Sequence, residues 1–501
     1  MSTAPGLGRT HGACRALAAF AALSASLALL VLTGCAVNPV TGKRELSLVS
    51  ADQEVQIGRD GYAATLAEYG QYDDAKLQAY VDSVGKKLAR VSELPNLDWH
   101  FTVLDDPVVN AFAMPGGYIY ITRGILAHLN SEAQLAGVLG HEIGHVTARH
   151  SAKHITQQQL AGLGLGLAGA FSETFARYSG AAEQALGLLM LKYSRDDESQ
   201  SDALGIKYAV AAGYDPREIP ATYAMLKRIG ERGGSSLPFY LSTHPDPGDR
   251  EARTTALAEA AVGTRTGLLV QQKPYMDRLR GVVFGEDPRG GYFDGARFYQ
   301  PGMGFELLFP EGWAKQNSHS SLVAQEPSKA AFAQVTLAPN AGTLSPLEYV
   351  AALKRDGRIA SASGSVETVG GWPAWVGHVV VPPANGATSG TVLFAAFVRQ
   401  SPERLIQFLG QSKAIGDAND LKLVALARSL RPLQDARRAN PVPDRVVVGQ
   451  APSAGVFNVM IGRLGPMAIS LDDAAILNGR ELDERVITGD WLKSVAPGKK
   501  L

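Results

Sequence analysis

The sequence predicts a multidomain protein of the α+β class, in which a mainly helical first domain carries a small edge sheet. The chain has 501 residues, more than one domain normally holds. Residues 116–215 contain no proline and include helical apolar patterns, whereas short strand-like runs dominate after residue 304. We therefore expect a first domain at 36–262, a linker at 263–303, an α+β sandwich at 304–434, and a linker with a small C-terminal module at 435–501.

The N-terminus has the pattern of an export signal. Arg9 and Arg15 precede an uncharged run, Ala16 to Leu32, that is short for a membrane-spanning helix and typical of a signal peptide, here residues 1–35. The ending Leu-Thr-Gly-Cys resembles a bacterial lipobox, which implies lipidation of Cys35, and Ala36 in the next position implies an outer-membrane lipoprotein facing the periplasm. The alternative is an uncleaved membrane anchor.

Charge and cysteine usage agree with this compartment. The 48 basic residues equal the 48 acidic ones, so the composition does not indicate a nucleic-acid partner. The second cysteine, Cys14, lies inside the predicted signal, so the mature chain would have no disulfide bond.

The most informative stretch is His141-Glu142-Ile143-Gly144-His145. Residues four apart on a helix differ by about 40° around its axis, so both imidazoles can reach one metal ion. The glutamate beside the first histidine then points at a water bound to that metal. Ser131 and Gln134 form a plausible capping box at the start of this helix. The spacing therefore predicts a metal-dependent hydrolase.

A third ligand is expected from a downstream acidic segment. Glu198 and Asp202 are four residues apart and would share one face of a second helix. Glu198 could bind the metal, while Asp202 could accept a hydrogen bond from the far nitrogen of a metal-bound histidine. The alternative is a solvated acidic helix face, which the upstream motif makes less favoured.

Together these motifs resemble the HtpX-like gluzincin metallopeptidases, in the clan of the CAAX prenyl proteases. The resemblance extends over about residues 40–260. It includes the segments Asn110 to Gly117, His145 to His150 and Ser242 to Pro245, and Ser201 stands where the family usually has alanine. It implies that His141, His145 and Glu198 hold one zinc ion per chain and that Glu142 is the general base.

Other polar residues near the motifs have two interpretations each. His244 resembles a family histidine that either stabilises the oxyanion or moves onto zinc as a fourth ligand; otherwise it is a loop residue. Arg195 could orient the carboxylates of Glu198 and Asp202 without binding the metal itself, or it could only cap local structure. His150 and His154 would lie about 180° and 220° around the same helix from His141, so we expect them to face away from the metal.

Two segments near the metal motifs in the sequence could control how a substrate reaches the metal. The stretch Asn110 to Ile121 predicts a hairpin whose edge could pair with an extended peptide, or could be an ordinary edge. The glycine-rich run Leu160 to Phe171 would suit a lid, although a flexible connection is the simpler interpretation.

The rear of the chain carries weaker signals. Strand-like runs and two helical patterns after residue 304 resemble a PsbP/Mog-like fold in their order. The tail after Pro443 resembles the second half of a LysM-like module, which implies contact with peptidoglycan or another glycan. No internal repeat is visible.

Taken together, the sequence predicts a zinc endopeptidase that hydrolyses misfolded or stalled proteins of the bacterial envelope. The alternative is a latched, chaperone-like outer-membrane assembly factor whose zinc site is mostly closed by His244. Expected partners are peptide substrates, the outer membrane through a lipid anchor, and outer-membrane assembly machinery or peptidoglycan.

Overall fold

The computed structural model describes residues 35–164, 192–232, 240, 244, 247–383 and 390–499. Residues 1–34, most of the predicted signal peptide, and the part of the predicted lid after residue 164 lie outside this set. Cys35 begins the first strand, but its side chain is not among those described. Within the described part of the chain, no helix combines the length and apolarity needed to cross a bilayer.

The first domain is built mainly from helices. Its strands are β1 (Cys35–Val37), β2 (Arg44–Leu46), β3 (His100–Leu104), β4 (Ala111–Met114) and β5 (Tyr118–Thr122). Its helices are α1 (Ala51–Tyr69), α2 (Ala75–Ala89), α3 (Arg123–His128), α4 (Glu132–Thr147), α5 (His150–Gly164), α6 (Arg195–Ala211), α7 (Ile219–Arg232), α8 (Pro247–Val262) and α9 (Gln272–Leu279).

A three-stranded sheet in the order β3-β5-β4 supports the central helices. β3 runs parallel to β5, and β4 pairs antiparallel with β5 at the edge, as the Asn110 to Ile121 pattern predicts. Phe112 and Met114 pack beneath aromatic residues of α1, whereas Ile119 and Ile121 face the core that contains α2 and α4. The sheet therefore lies between α1 and α4, with β4 beside the central helix.

Helix α4 begins where the sequence predicts and ends earlier than the histidine spacing suggests. The Ser131 hydroxyl accepts a hydrogen bond from the Gln134 backbone, while the Gln134 side chain bonds the backbone of Asn130. The helix ends at Thr147, because Arg149 adopts a left-handed conformation with φ of 58°. The chain turns there, and α5 starts at His150.

The contact between α4 and α6 depends on small residues. A β-carbon added to Gly140 would lie 3.1 Å from the Gly205 α-carbon, and one added to Gly144 would lie 3.1 Å from that of Ser201. On Gly205 it would lie 2.9 Å from the backbone nitrogen of His141. The small serine at position 201 is compatible with this close approach, which brings the side chains of α6 to the histidines of α4.

The second domain is a sheet with helices on both faces. Its strands are β6 (Tyr292–Asp294), β7 (Arg297–Gln300), β8 (Phe305–Leu308), β9 (Ala314–Asn317), β10 (Ser321–Gln325), β11 (Phe332–Leu337), β12 (Ser361–Val369), β13 (Trp372–Val381), β14 (Thr391–Ser401), β15 (Arg404–Gln411) and β16 (Arg431–Pro432). Seven of them form an antiparallel sheet in the order β12-β13-β14-β15-β11-β10-β9. Helices α10 (Pro346–Arg355) and α11 (Ala418–Arg428) pack on opposite faces.

The region 263–303, predicted as a linker, carries ordered structure instead. Tyr275, Met276 and Leu279 of α9 are buried in the core of the first domain. β6 and β7 join β8 and β16 in a four-stranded sheet that belongs with the second domain. The glycines and the proline from Gly285 to Gly291 lie in the short connection between α9 and β6, which is why this stretch resembles a linker in the sequence.

The C-terminal module has two strands, two helices and two further strands, in that order. It contains β17 (Arg445–Gln450), β18 (Gly455–Val456), α12 (Phe457–Ile461), α13 (Leu471–Asn478), β19 (Arg485–Val486) and β20 (Trp491–Ala496). β17 pairs with β20, and β18 pairs with β19, both antiparallel. The module has a small core of its own, and Val446, Val448 and Val495 also pack into the core of the first domain.

A buried lysine joins this module to the first domain. The Nζ atom of Lys493 donates hydrogen bonds of 2.6 Å to the backbone oxygens of both Ala127 and Leu129. These carbonyls lie at the end of α3, where the negative end of the helix dipole favours a hydrogen-bond donor. The side chain is fully buried, and burial holds the pKa of Lys493 well below its usual value.

We expect Lys493→Met to lower the free energy of unfolding by about 1–3 kcal/mol, because two buried carbonyls lose their donor. The measurement is thermal and urea unfolding of the full chain, followed by circular dichroism. Lys354→Met, at an exposed position of α10, is the matched control and should leave the transition in place. An unchanged transition in the Lys493 variant would contradict this role.

Candidate metal centre

Four buried side chains meet between α4, α6 and His244, which lies three residues before α8. The ligand atoms of His141, His145, Glu198 and His244 all lie within 4.8 Å of one another. The Nε2 atoms of His141 and His145 are 2.9 Å apart, and Glu198 oxygens lie 3.5 Å from the first and 3.4 Å from the second. The structure therefore brings together the three residues that the sequence predicts as metal ligands, with His244 beside them.

The donor set and its spacing fit a zinc ion. Two nitrogen ligands at about 2.0–2.1 Å from a tetrahedral zinc lie roughly 3.3 Å from each other, close to the separations found here. Two imidazoles and one carboxylate form a known set of ligands for catalytic zinc. His141, His145 and Glu198 would hold the ion, and His244 is near enough to contribute a fourth donor.

Asp202 orients the first of these histidines. Its Oδ1 atom lies 3.0 Å from Nδ1 of His141, the nitrogen that points away from the cluster. A carboxylate there places the ring proton on Nδ1 and leaves the Nε2 lone pair free for a metal. Asp202 thus occupies the position that the sequence predicts for it.

A buried arginine, Arg250 of α8, holds both carboxylates of α6. Its Nη1 lies 2.7 Å from Oε2 of Glu198, and its Nη2 lies 2.6 Å from Oδ1 of Asp202. The guanidinium also stacks over the ring of Tyr223, whose hydroxyl donates a 2.7 Å hydrogen bond to Asp202. These contacts fix the two acidic side chains before any cation binds.

Arg195, which the sequence offers as the supporting arginine, is exposed in the first turn of α6. The contacts expected of it are made by Arg250. Nothing in the sequence near Arg250 forms a motif with the acidic segment, so only the packing of α8 against α6 identifies it. A search for further basic residues between His244 and the domain boundary could have proposed it.

The expectation that His150 faces away from the metal is wrong. Because α4 ends before Arg149, His150 does not follow the helical phase of His141. Its Nδ1 lies 3.0 Å from Nδ1 of His145, and it is almost fully buried. His154 contacts Asp197 instead of a ligand, at 3.0 Å.

The hydrogen bonds of His150 determine which nitrogen of His145 faces the cluster. Nε2 of His150 lies 3.0 Å from the Gln200 side-chain oxygen, so it carries the proton. Burial lowers the pKa of His150, which leaves the ring neutral with Nδ1 as an acceptor. His145 therefore donates from Nδ1, and its Nε2 lone pair points at His141. The Tyr193 ring, stacked 4.0 Å from that of His145, holds the plane.

Glu142 is the one acidic group at the centre with no such support. It is fully buried, and neither of its oxygens has a hydrogen-bond partner among the residues that the structure describes. Nε2 of His244 lies 3.9 Å from its Oε1, beyond hydrogen-bond distance. Burial raises the pKa of Glu142, so the carboxylate is a stronger base than an exposed one.

His244 bridges the base and the third ligand. Its Nδ1 lies 2.9 Å from Oε1 of Glu198 and 3.4 Å from Nε2 of His141, while the Tyr240 ring stacks 4.5 Å from its own. With one nitrogen beside the cluster and the other toward Glu142, its position is compatible with either predicted role.

The electrostatics of the cluster favour a cation. Burial lowers the pKa of His141, but hydrogen bonds to Asp202 and Glu198 raise it to about 9 overall. Burial would raise the pKa of Glu198, yet His244 and Arg250 hold it well below its usual value. Burial keeps the pKa of His145 well below normal, so that ring is neutral. The site therefore attracts one positive charge and offers a neutral imidazole beside it.

Comparison with known proteins agrees with this geometry. Residues 75–258 match the model of Peptidase family M48. A mitochondrial metalloendopeptidase OMA1 from Schizosaccharomyces pombe is 32% identical over 238 residues, which cover 45% of this chain and 67% of that protein. The chain belongs to Peptidase family M48. The family consists of zinc metallopeptidases, and the sequence-based resemblance to this group is confirmed.

Other relatives carry related names. The mitochondrial metalloendopeptidase OMA1 of Arabidopsis thaliana is 35% identical over 38% of this chain and 37% of its own length. The beta-barrel assembly-enhancing protease of Escherichia coli K12 is 30% identical over 43% of this chain and 45% of its own length. The similarity thus spans only about a third to two thirds of the relatives' lengths.

One solved structure, a cyanobacterial PsbP from Synechocystis, resembles part of the chain. The likeness covers 30% of this chain and 98% of that one, at 14% identity and a TM-score of 0.22. At this TM-score the likeness carries no argument, so the mixed α/β architecture of the second domain rests on its own strands and helices.

We expect His150→Leu to weaken zinc binding by about 10- to 100-fold, because His145 loses the acceptor that selects its metal-binding tautomer. Zinc affinity is measured by competition with a chelator, with circular dichroism as the check on folding. His150→Gln keeps an acceptor and should retain more affinity. His378→Leu, in the second domain, is the matched control, and equal affinities for the two leucine variants would refute the role of His150.

Proposed function

We propose that this protein is a zinc-dependent endopeptidase of the bacterial cell envelope, with Glu142 as the general base. The observation that carries the proposal is the buried group of two histidines and one glutamate beside an unpaired carboxylate. A purely structural metal site has no chemical need for such a base. Its burial without a partner costs free energy that a catalytic role explains.

The residues around the cluster would have different roles in peptide hydrolysis. Zinc bound at His141, His145 and Glu198 would lower the pKa of a coordinated water and polarise the peptide carbonyl. Glu142 would accept a proton from the attacking water and would later deliver it to the leaving amine. In the first of its two roles, His244 would stabilise the developing oxyanion from its place between Glu142 and Glu198.

The edge of β4 supplies a surface for the peptide backbone. The Thr122 backbone donates a 3.0 Å hydrogen bond to the Asn110 oxygen, which sets the register of the hairpin. Since bonded and non-bonded pairs alternate, the backbone groups of Ala111 and Ala113 point away from β5. An extended substrate could pair with them by strand addition, which favours unfolded segments over folded domains.

The envelope location is supported by the sequence of the N-terminus. The proposed lipid at Cys35 would anchor the chain to the outer membrane, with the peptidase facing the periplasm. Misfolded or stalled envelope proteins are then the substrates within reach, and the name of the Escherichia coli relative favours this choice. The C-terminal module and the PsbP/Mog-like second domain would contribute binding, to assembly machinery or peptidoglycan.

The second candidate function is a latched assembly factor. The closeness of His244 to the ligand atoms favours it, because a fourth protein donor on zinc would exclude the water that hydrolysis requires. In that state the protein would bind clients without cutting them.

We expect Glu142→Gln to retain zinc and fold yet to lose cleavage of an unfolded casein-type substrate by at least about 100-fold, since the amide cannot accept the proton. Zinc content and cleavage rate are measured on the same preparation. Glu403→Gln, an exposed change in the second domain, is the control and should cleave normally. Undiminished cleavage by the Glu142 variant would reject the assigned base.

We expect His244→Ala to separate the two functions. If His244 closes the site, its removal opens a coordination position, and the cleavage rate should rise several-fold. A rate that falls by about 100-fold would instead assign His244 to stabilisation of the transition state. His128→Ala, a partly buried histidine at the end of α3 and away from the cluster, controls for loss of an imidazole from this domain.

A further inference from the structure

A large cavity opens beside the metal centre without containing any of its ligands. Its volume is about 780 Å³. It lies between the start of α1, the segment after β2, the loop before β3 and the end of α4. The apolar side chains that line it include Leu48, Val49, Val55, Leu94, Leu97 and Val146.

The cavity reaches the side of α4 that carries the general base. Val146 lines it and follows Glu142 by four residues, so both lie on the same side of α4, about 6 Å apart along its axis. Gly116, just beyond the end of the edge strand β4, also lines the cavity. A chain extended along β4 past Glu142 would therefore reach it.

Gly116 brings the hairpin against the cavity wall. Its φ is 80°, and a β-carbon there would lie 2.5 Å from the Val55 α-carbon. Only glycine allows this contact between the β4–β5 turn and α1. The turn and the helix thus form one continuous wall that leads from the peptide-binding edge into the cavity.

Two of the three charged residues that line the cavity, Arg149 and Glu54, neutralise each other, and the third, Asp52, is exposed in the first turn of α1. Arg149 lies 3.0 Å from Glu54, and its guanidinium also donates a 2.9 Å hydrogen bond to the Val49 backbone oxygen. Both side chains are mostly buried, so the pair is committed to holding the turn after α4. The cavity therefore suits a neutral, apolar group better than a charged one.

We propose that this cavity is a specificity site that binds a large apolar side chain of the substrate. A strand rises about 3.3 Å per residue, so the side chain would belong to a residue about two positions from the scissile bond. The volume is within the range of ligand-binding pockets, roughly 300–1,000 Å³. This inference rests on the proposed peptidase function and names the substrate class: exposed hydrophobic segments of unfolded chains.

An acyl chain at Cys35 is the competing occupant, because Ala36 and Val37 also line the cavity. The peptide is favoured by continuity with β4 and with the face of Glu142. An acyl chain held here would also be withdrawn from the membrane that it is proposed to anchor.

The test measures peptide binding separately from cleavage. Full-length protein carrying Glu142→Gln and Cys35→Ser is titrated with labelled, unstructured peptides that are identical except for Phe or Ala. Phe or Ala is placed two residues before or two residues after the bond that the wild-type protein cleaves. If the wild-type protein cleaves none of the peptides, Phe or Ala is placed at each peptide position in turn. One Phe peptide should bind about tenfold more tightly than its Ala counterpart.

Filling the cavity should remove this preference. Leu97→Trp is expected to reduce the Phe-to-Ala ratio to nearly one, and Leu94→Trp provides a second variant if the first unfolds. Leu421→Trp, exposed on α11, is the matched control and should keep the tenfold ratio. Unfolding temperatures identify variants that lose affinity through loss of structure.

The outcomes separate the two proposals. A Phe preference that is absent from all peptides, or that survives in both folded tryptophan variants, overturns the specificity site. Tight binding by the Cys35→Ser protein together with weak binding by the lipid-modified protein assigns the cavity to the acyl chain and also overturns it. If the Phe preference is present and is lost in the Leu97→Trp variant, but the wild-type protein cleaves none of the peptides, the binding site is supported and the proposed peptidase function is rejected.

Discussion

The structure depends on the close packing of α4 against α6. Glycines and a serine at their crossing let the two backbones approach until the carboxylates of α6 reach the histidines of α4. A larger residue at any of these positions would move the helices apart by a fraction of an ångström or more. A metal site tolerates little of this, because its ligand distances vary by only about 0.2 Å. Packing and metal chemistry are thus constraints on the same few residues.

This closeness creates an electrostatic problem that the fold solves mainly with Arg250, while Arg253 also pairs with Asp202 at 2.6 Å. Glu198 and Asp202 are buried side by side, which would be costly without a partner. Arg250 contacts both, and the Tyr223 ring covers its guanidinium. Glu142 is excluded from this network. Two neutralised carboxylates thus contrast with a third that has no hydrogen-bond donor among the described residues, and this contrast supports the different roles proposed for them.

Much of this arrangement follows from the sequence, because local rules govern it. The four-residue spacings of His141 with His145 and of Glu198 with Asp202 need only helical geometry, and both helices form. The strands β11 and β14 lie in the region where the sequence predicts strand-like runs, since both are rich in apolar and β-branched residues. The mostly polar and small residues of β12 carry no such pattern, because this strand is exposed at the edge of the sheet. The roles of Arg250 and His150 could not be predicted from the sequence. Arg250 reaches the carboxylates through tertiary packing, and His150 lies after a break in the helix, whereas the angular spacing assumes an unbroken helix.

The path of the chain around the second domain has a consequence for how the protein is made. The segments that enter and leave that domain run side by side, with hydrogen bonds of 2.9 Å from Gly281 to Val446 and 2.8 Å from Val446 to Val282. The second domain is therefore an insertion within one larger folded unit, whose strand β20 follows the second domain in the sequence. A growing polypeptide cannot complete that unit until the residues of β20 have been synthesised, so the fold of the first unit has to wait for the whole inserted domain to be made.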